Sequence, residues 1–228
     1  MRFAFFDLDD TLVDTEAALH AWSLDFVAEY GLGVRLGGSR GDEEAAALVV
    51  DRRAHGVADW REFAENAREW YGISTAPQEL FSRIAATYAR KFTVTDEVTS
   101  GLTRLRSAGW LLGIVTNGLT VVQHGKIDHV GLRSYVDLVI DSETAGYRKP
   151  DRRIFELAAG KLGVELGPSG WMVGDMLSKD VAGGIAAGLR TIWLPYGREL
   201  GAADPRPDHV AATIGEALAL LEASGDAE

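Results

Sequence analysis

From about residue 95 onward the chain alternates between short, continuous apolar runs and stretches with a helical period. Residues 95–107 place Val98, Leu102 and Leu105 on one side and close at Gly109. Residues 110–115 then form an apolar run that ends in Thr116-Asn117-Gly118. The alternation continues with a helical stretch near 119–130, a run at 136–140, helix near 151–162, a run at 171–173, helix near 179–187 and a run at 191–194. A last helical stretch lies near 213–222. Uninterrupted apolar strands are buried on both faces, and strands separated by helices form a parallel sheet. The pattern predicts an α/β fold with a Rossmann-like parallel sheet and helices on both faces.

One further strand precedes the series. Residues 2–6 are nearly all apolar and stop abruptly at Asp7-Leu8-Asp9-Asp10-Thr11. From about Thr15 the period becomes helical, with Leu19, Trp22, Phe26 and Tyr30 before Gly31, and helical stretches follow at about 42–54, 59–71 and 78–91. An all-α block therefore interrupts the alternation after its first strand. The expected division is an α/β core of residues 1–14 and 93–228 with an α-helical cap domain of residues 15–92. Trp22, Trp60, Phe63, Trp70 and Tyr71 are expected mainly to pack the cap helices together.

Composition narrows the function. With 23 basic and 34 acidic residues, the formal charge of −11 opposes any polyanion, so no nucleic acid partner is expected. No cysteine is available for a disulfide, a thiolate metal site or a catalytic thiol, and a reducing compartment suits the chain. The apolar start is far shorter than the roughly 7–15 residues of a signal-peptide core, and no uncharged run approaches the roughly 18 of a membrane span. A cytoplasmic protein, monomer or homodimer, with no membrane partner is expected.

In open parallel sheets the ligand site forms beyond the C-terminal ends of the strands. Asp7, Asp9 and Thr11 follow the first strand, Thr116 and Asn117 the second, and Asp175 and Asp180 the run ending at Val173, while Lys149-Pro150 lies in another loop. Carboxylates crowded in this way repel one another unless a hard divalent cation neutralises them, and Mg²⁺ is the natural candidate. It prefers a few carboxylate oxygens and retains positions for water and phosphate. Lys149 supplies a cation, and Thr116 with loop N–H groups supplies donors to phosphoryl oxygens. A carboxylate nucleophile with a second carboxylate as acid, then base, completes a two-step route.

Asp7-Leu8-Asp9-Asp10-Thr11, Thr116-Asn117, Lys149-Pro150 and Gly174-Asp175 followed by Asp180 resemble, in order and spacing, the four motifs of the haloacid dehalogenase-like hydrolases. The resemblance covers essentially the whole chain, the inserted helices being similar to a type-one cap, and the wording is similar to a phosphatase subgroup. It implies a small-molecule phosphate ester as substrate and Asp7 as nucleophile. It implies Asp9 as the group that protonates the leaving oxygen and then activates water, its backbone carbonyl touching the metal. Thr116 and Lys149 would hold the phosphoryl group, with Asn117 at the edge of the substrate site. Asp175 would ligate Mg²⁺ directly, and Asp180 directly or through water. Dehalogenases of the superfamily lack a carboxylate at the position of Asp9, so its presence favours a phosphate ester.

Plainer readings stand beside these. Asp10, Asp14 and Thr11 are ordinary turn or helix-capping residues, Pro150 a natural first residue of a helix, and Gly183, Gly184 and Gly188 sites of close helix packing. The rival functions are a phosphomutase on the same scaffold, a haloacid dehalogenase, a receiver-like switch and a non-catalytic binding protein.

Overall fold

A computed structural model describes residues 1–36, 41–55 and 59–225. Strand β1 (Phe3–Phe6) is followed by helices α1 (Thr15–Glu29), α2 (Leu32–Leu36), α3 (Asp42–His55), α4 (Trp60–Tyr71), α5 (Pro77–Ala89) and α6 (Asp96–Ser107). Then come β2 (Leu111–Thr116), α7 (Thr120–His129), β3 (Leu138–Asp141), α8 (Ser142–Ala145) and α9 (Arg152–Leu162). The chain ends with β4 (Gly170–Gly174), α10 (Ala182–Ala187), β5 (Arg190–Trp193), β6 (His209–Val210) and α11 (Ile214–Gly225). No helix among the described residues is long and apolar enough to cross a membrane.

The chain divides into two compact units. The first, Met1–Asp14, Thr93–Gln123 and Val130–Glu228, carries a six-stranded sheet of order β3-β2-β1-β4-β5-β6. Every pairing is parallel, and β1 is central, with Phe3 beside both Leu111 and Gly170. Phe3 and Phe5 pack with Ile154, Phe155 and Ala158 of α9. The alternate residues Ala4 and Phe6 face the other way and are equally buried, so both faces of β1 are covered, as its unbroken apolar run requires. At Gly184, an added Cβ would lie 2.7 Å from Thr191 Cγ2, so α10 approaches the sheet more closely than a side chain permits. Gly183 meets Phe155 in the same way, whereas Gly188 serves as a left-handed C-cap instead.

Three local expectations change. The helix near 179–187 opens with a π-helical turn, Leu177–Val181, and only then becomes α-helical. Pro150, preceded by a cis peptide bond, is not a helix start: Asp151 caps α9, its Oδ1 accepting from Arg153 N–H at 3.0 Å. Strand β6 was not expected. It is held by Asp208, whose Oδ2 accepts from the Thr191 backbone N–H at 2.8 Å and from its hydroxyl at 3.0 Å.

The second unit comprises Thr15–Phe92 and His124–His129. Its core is aromatic, as expected. The buried Trp22 ring sits 4.9 Å from Trp60 and 5.9 Å from Phe63, and its indole N–H donates to Thr87 Oγ1 at 3.2 Å. Edge-on rings gain electrostatically as well as through burial. Arg52 stacks over Trp70 and Tyr71, 5.2 Å from each ring centre, and buried Lys126 lies 4.7 Å from the centre of Phe92.

Candidate active site

The site residues of the first unit lie where the strands of its sheet end. Asp7 follows β1 directly; its N–H still bonds Val173 O at 2.9 Å, which continues the sheet pairing by one residue. Its side chain therefore projects from the rigid edge, with Oδ1 accepting from Leu8 N–H at 2.8 Å and from Lys149 Nζ at 2.7 Å. The loop then turns tightly: Leu12 and Val13 N–H both reach Leu8 O, and Asp10 adopts a positive φ of 52°. Asp and Asn tolerate that conformation best among side-chain-bearing residues.

Lys149 is almost wholly buried and also reaches Asp180 Oδ1 at 2.7 Å. Asp180 sits in the π-helical turn, its Oδ2 accepting from Met176 N–H at 2.9 Å. Gly174 makes room for it, since a Cβ there would lie 2.4 Å from Asp180 Cγ. Asp175, from the same loop, pairs with Arg198 Nη2 at 3.1 Å, while its carbonyl accepts from Arg198 and from Trp193 Nε1. Carboxylate oxygens of Asp7, Asp175 and Asp180 lie within 4.8 Å of one another. Asp9 is outside this trio; its Oδ2 accepts from Gln123 Nε2 at 2.8 Å, and the same nitrogen donates to Thr116 Oγ1 at 2.6 Å.

Electrostatics follow from burial. Removal from water pushes Asp7 from 3.8 up to about 7, with Lys149 pulling against it and Asp180 adding to it. Asp175 rises to about 6 for the same first reason, reinforced by Asp180 and opposed by Arg198. Burial works against the charge on Lys149, yet Asp180 and Asp7 together outweigh it and raise its pKa. A closely spaced, all-oxygen trio is the kind of donor set that suits a hard cation. The three carboxylates could hold a metal ion.

Asn117, expected at the edge of the substrate site, bonds the backbone of Lys149 through both its amide oxygen and its amide nitrogen. Asp10 and Asp14 lie close enough to raise the Tyr196 hydroxyl pKa, after burial and Asp175. Thr11 is buried. Gln123, Arg198 and Tyr196 were not anticipated. Arg198 and Tyr196 follow β5 in a turn marked by Pro195 and Gly197, a signal available in the sequence; nothing in the pattern singles out Gln123.

Residues 1–188 match the family model of haloacid dehalogenase-like hydrolases. The chain belongs to that family. It is 31% identical over 206 residues to a glyceraldehyde 3-phosphate phosphatase of Methanopyrus kandleri, covering 87% of this chain and 85% of that one. It is 28% identical over 245 residues to the N-acylneuraminate-9-phosphatase of Homo sapiens, covering 97% and 94%. A haloacid dehalogenase-type (HAD) phosphatase structure from Thermococcus onnurineus superposes with a TM-score of 0.71 at 27% identity, covering 97% of this chain and 98% of the other.

Proposed function

We propose that this hydrolase is a Mg²⁺-dependent phosphomonoesterase acting on a small-molecule phosphate ester, with residues 15–92 as its cap. The observation that carries the proposal is the trio of Asp7, Asp175 and Asp180 at one strand edge, with buried Lys149 bridging Asp7 and Asp180. The phosphatase names of its relatives support the choice of ester.

Asp7, Asp175 and Asp180 would hold Mg²⁺ through their side chains and Asp9 through its backbone carbonyl. The ion supplies charge neutralisation for the carboxylates and the phosphoryl oxygens. Lys149 opposes the burial that raises the Asp7 pKa and so favours the anion that a carboxylate nucleophile requires. Asp7 attacks phosphorus as Asp9 gives its proton to the departing alkoxide, and the alcohol leaves. Asp9, now a carboxylate, takes a proton from water, whose oxygen attacks the aspartyl-phosphate and frees Asp7 and phosphate. Thr116 Oγ1 accepts from Gln123, so its own hydrogen is available to a phosphoryl oxygen throughout.

The test is phosphate release from p-nitrophenyl phosphate, nucleotides, sugar phosphates and phosphoglycolate, with Mg²⁺ or EDTA. Release that needs metal and vanishes in Asp7→Asn is expected. A folded, Mg²⁺-binding protein that releases phosphate from no ester overturns the proposal, and isomerised sugar phosphate without free phosphate replaces it with a mutase.

A further inference from the structure

Gln123 is 2% exposed, lies one turn into α7 and belongs to none of the recognised motif positions. Its amide nitrogen stands 2.8 Å from Asp9 Oδ2 and 2.6 Å from Thr116 Oγ1. Asp9 Oδ2 accepts here and can do so while the other carboxyl oxygen carries the proton, so the nitrogen end of the amide faces Asp9, and its two hydrogens serve Asp9 and Thr116 separately. Burying a polar amide this deeply is costly unless it is bonded, so its position is set by those two acceptors. A second observation concerns the loop that leads into α7. A Cβ on Gly118 would lie 2.8 Å from both Cγ and Cδ of Gln123 and 3.1 Å from Oε1. The glycine leaves open the volume that the Gln123 side chain fills.

We infer that Gln123 is a positioning residue for the proton-transfer step, a fixed amide that aims the Asp9 carboxyl at the leaving oxygen and ties it to Thr116, with Gly118 as its seat. The inference rests on the role proposed for Asp9. In that step the ester P–O bond breaks as the Asp7 O–P bond forms, and the proton on Asp9 moves to the departing oxygen. Aim matters most when the leaving oxygen is basic. An alkyl phosphate departs as an alkoxide and needs the proton, whereas p-nitrophenolate is stable without it.

The test is kcat/KM for an alkyl sugar phosphate and for p-nitrophenyl phosphate in wild type, Gln123→Met and Gly118→Ala. Met keeps the volume and removes both donors, and alanine at 118 displaces the amide without touching a reacting group. The expected result is a loss on the order of 10- to 100-fold for the alkyl ester against less than about fivefold for the aryl ester, in both variants. Equal losses on both esters, or none, overturn the inference. Wild-type failure on both esters would instead reject the phosphomonoesterase reading. The crystal structure of Gln123→Met decides the inference in either case: a displaced Asp9 carboxylate is expected, and an Asp9 that stays in place refutes it.

Discussion

Asn117 grips Lys149 from both sides, its Nδ2 donating to the Lys149 carbonyl at 2.9 Å and its Oδ1 accepting from the Lys149 N–H at 2.8 Å. The amide thus copies a strand neighbour and fixes the backbone from which Nζ reaches two carboxylates. Asn117→Asp keeps the shape and the acceptor and loses the donor. It is expected to lower phosphatase kcat/KM by about 10- to 100-fold and stability by about 1–2 kcal/mol, read by kinetics and urea unfolding. Full activity with a shifted KM alone would assign Asn117 to the substrate instead.

Lys149→Met removes the cation between Asp7 and Asp180. Both acids are buried, so the metal-free variant is expected to lose about 3–5 kcal/mol at pH 8. The loss shrinks at pH 5, where Asp7 carries a proton. Equilibrium unfolding in EDTA at the two pH values measures this, and a loss that does not depend on pH refutes the pairing as its source.

The raised acids set a stability slope. Asp7 shifts from 3.8 in the unfolded chain to about 7, and Asp175 from 3.8 to about 6. The folded protein therefore holds more protons than the unfolded one between about pH 4 and 7, and stability from these groups is present at low pH and lost as pH rises through that window. The Tm of metal-free Asp7→Asn should exceed that of wild type by a margin that grows from pH 4 to pH 7.5. Mg²⁺ should close the gap by stabilising wild type more than the variant. A margin constant across pH contradicts the assignment.

Gly174→Ala should act through Asp180. The new Cβ would lie 2.4 Å from Asp180 Cγ and Oδ2, and Asp180 is pinned by Lys149 and Met176. A cost of about 1–3 kcal/mol is expected, together with weaker Mg²⁺ binding by calorimetry. Adding Asp180→Ala should relieve part of the unfolding penalty; strict additivity of the two substitutions argues against the clash.

Strand ends were the most readable part of the site. Continuous apolar runs mark buried strands, and the run at 171–173 leads straight to Asp175, as the one at 110–115 leads to Thr116. Lys149 emerged from its place in a motif, since a lysine in a loop carries no physical mark of burial. Gln123 stayed hidden because helical periodicity tells which side a residue faces and not which acceptors its amide reaches. Arg198 was missed for another reason: the loop after β5 obeys the same strand-end rule, but its polar members are not part of the acidic pattern. Strand β6, with two residues, is too short to show any period.

The central place of β1 has a consequence for how the chain is made. Phe3–Phe6 is synthesised before both of its neighbours, which begin at Leu111 and Gly170. Ring closure over such distances is entropically expensive and slow. That strand and the aspartate beside it thus wait for their neighbours while the helices of residues 15–92 emerge. Birth order and assembly order differ: a segment made before both of its neighbours is completed only with the second of them, and a ribosome stalled before residue 170 carries an aromatic strand with an open edge for chaperones to shield.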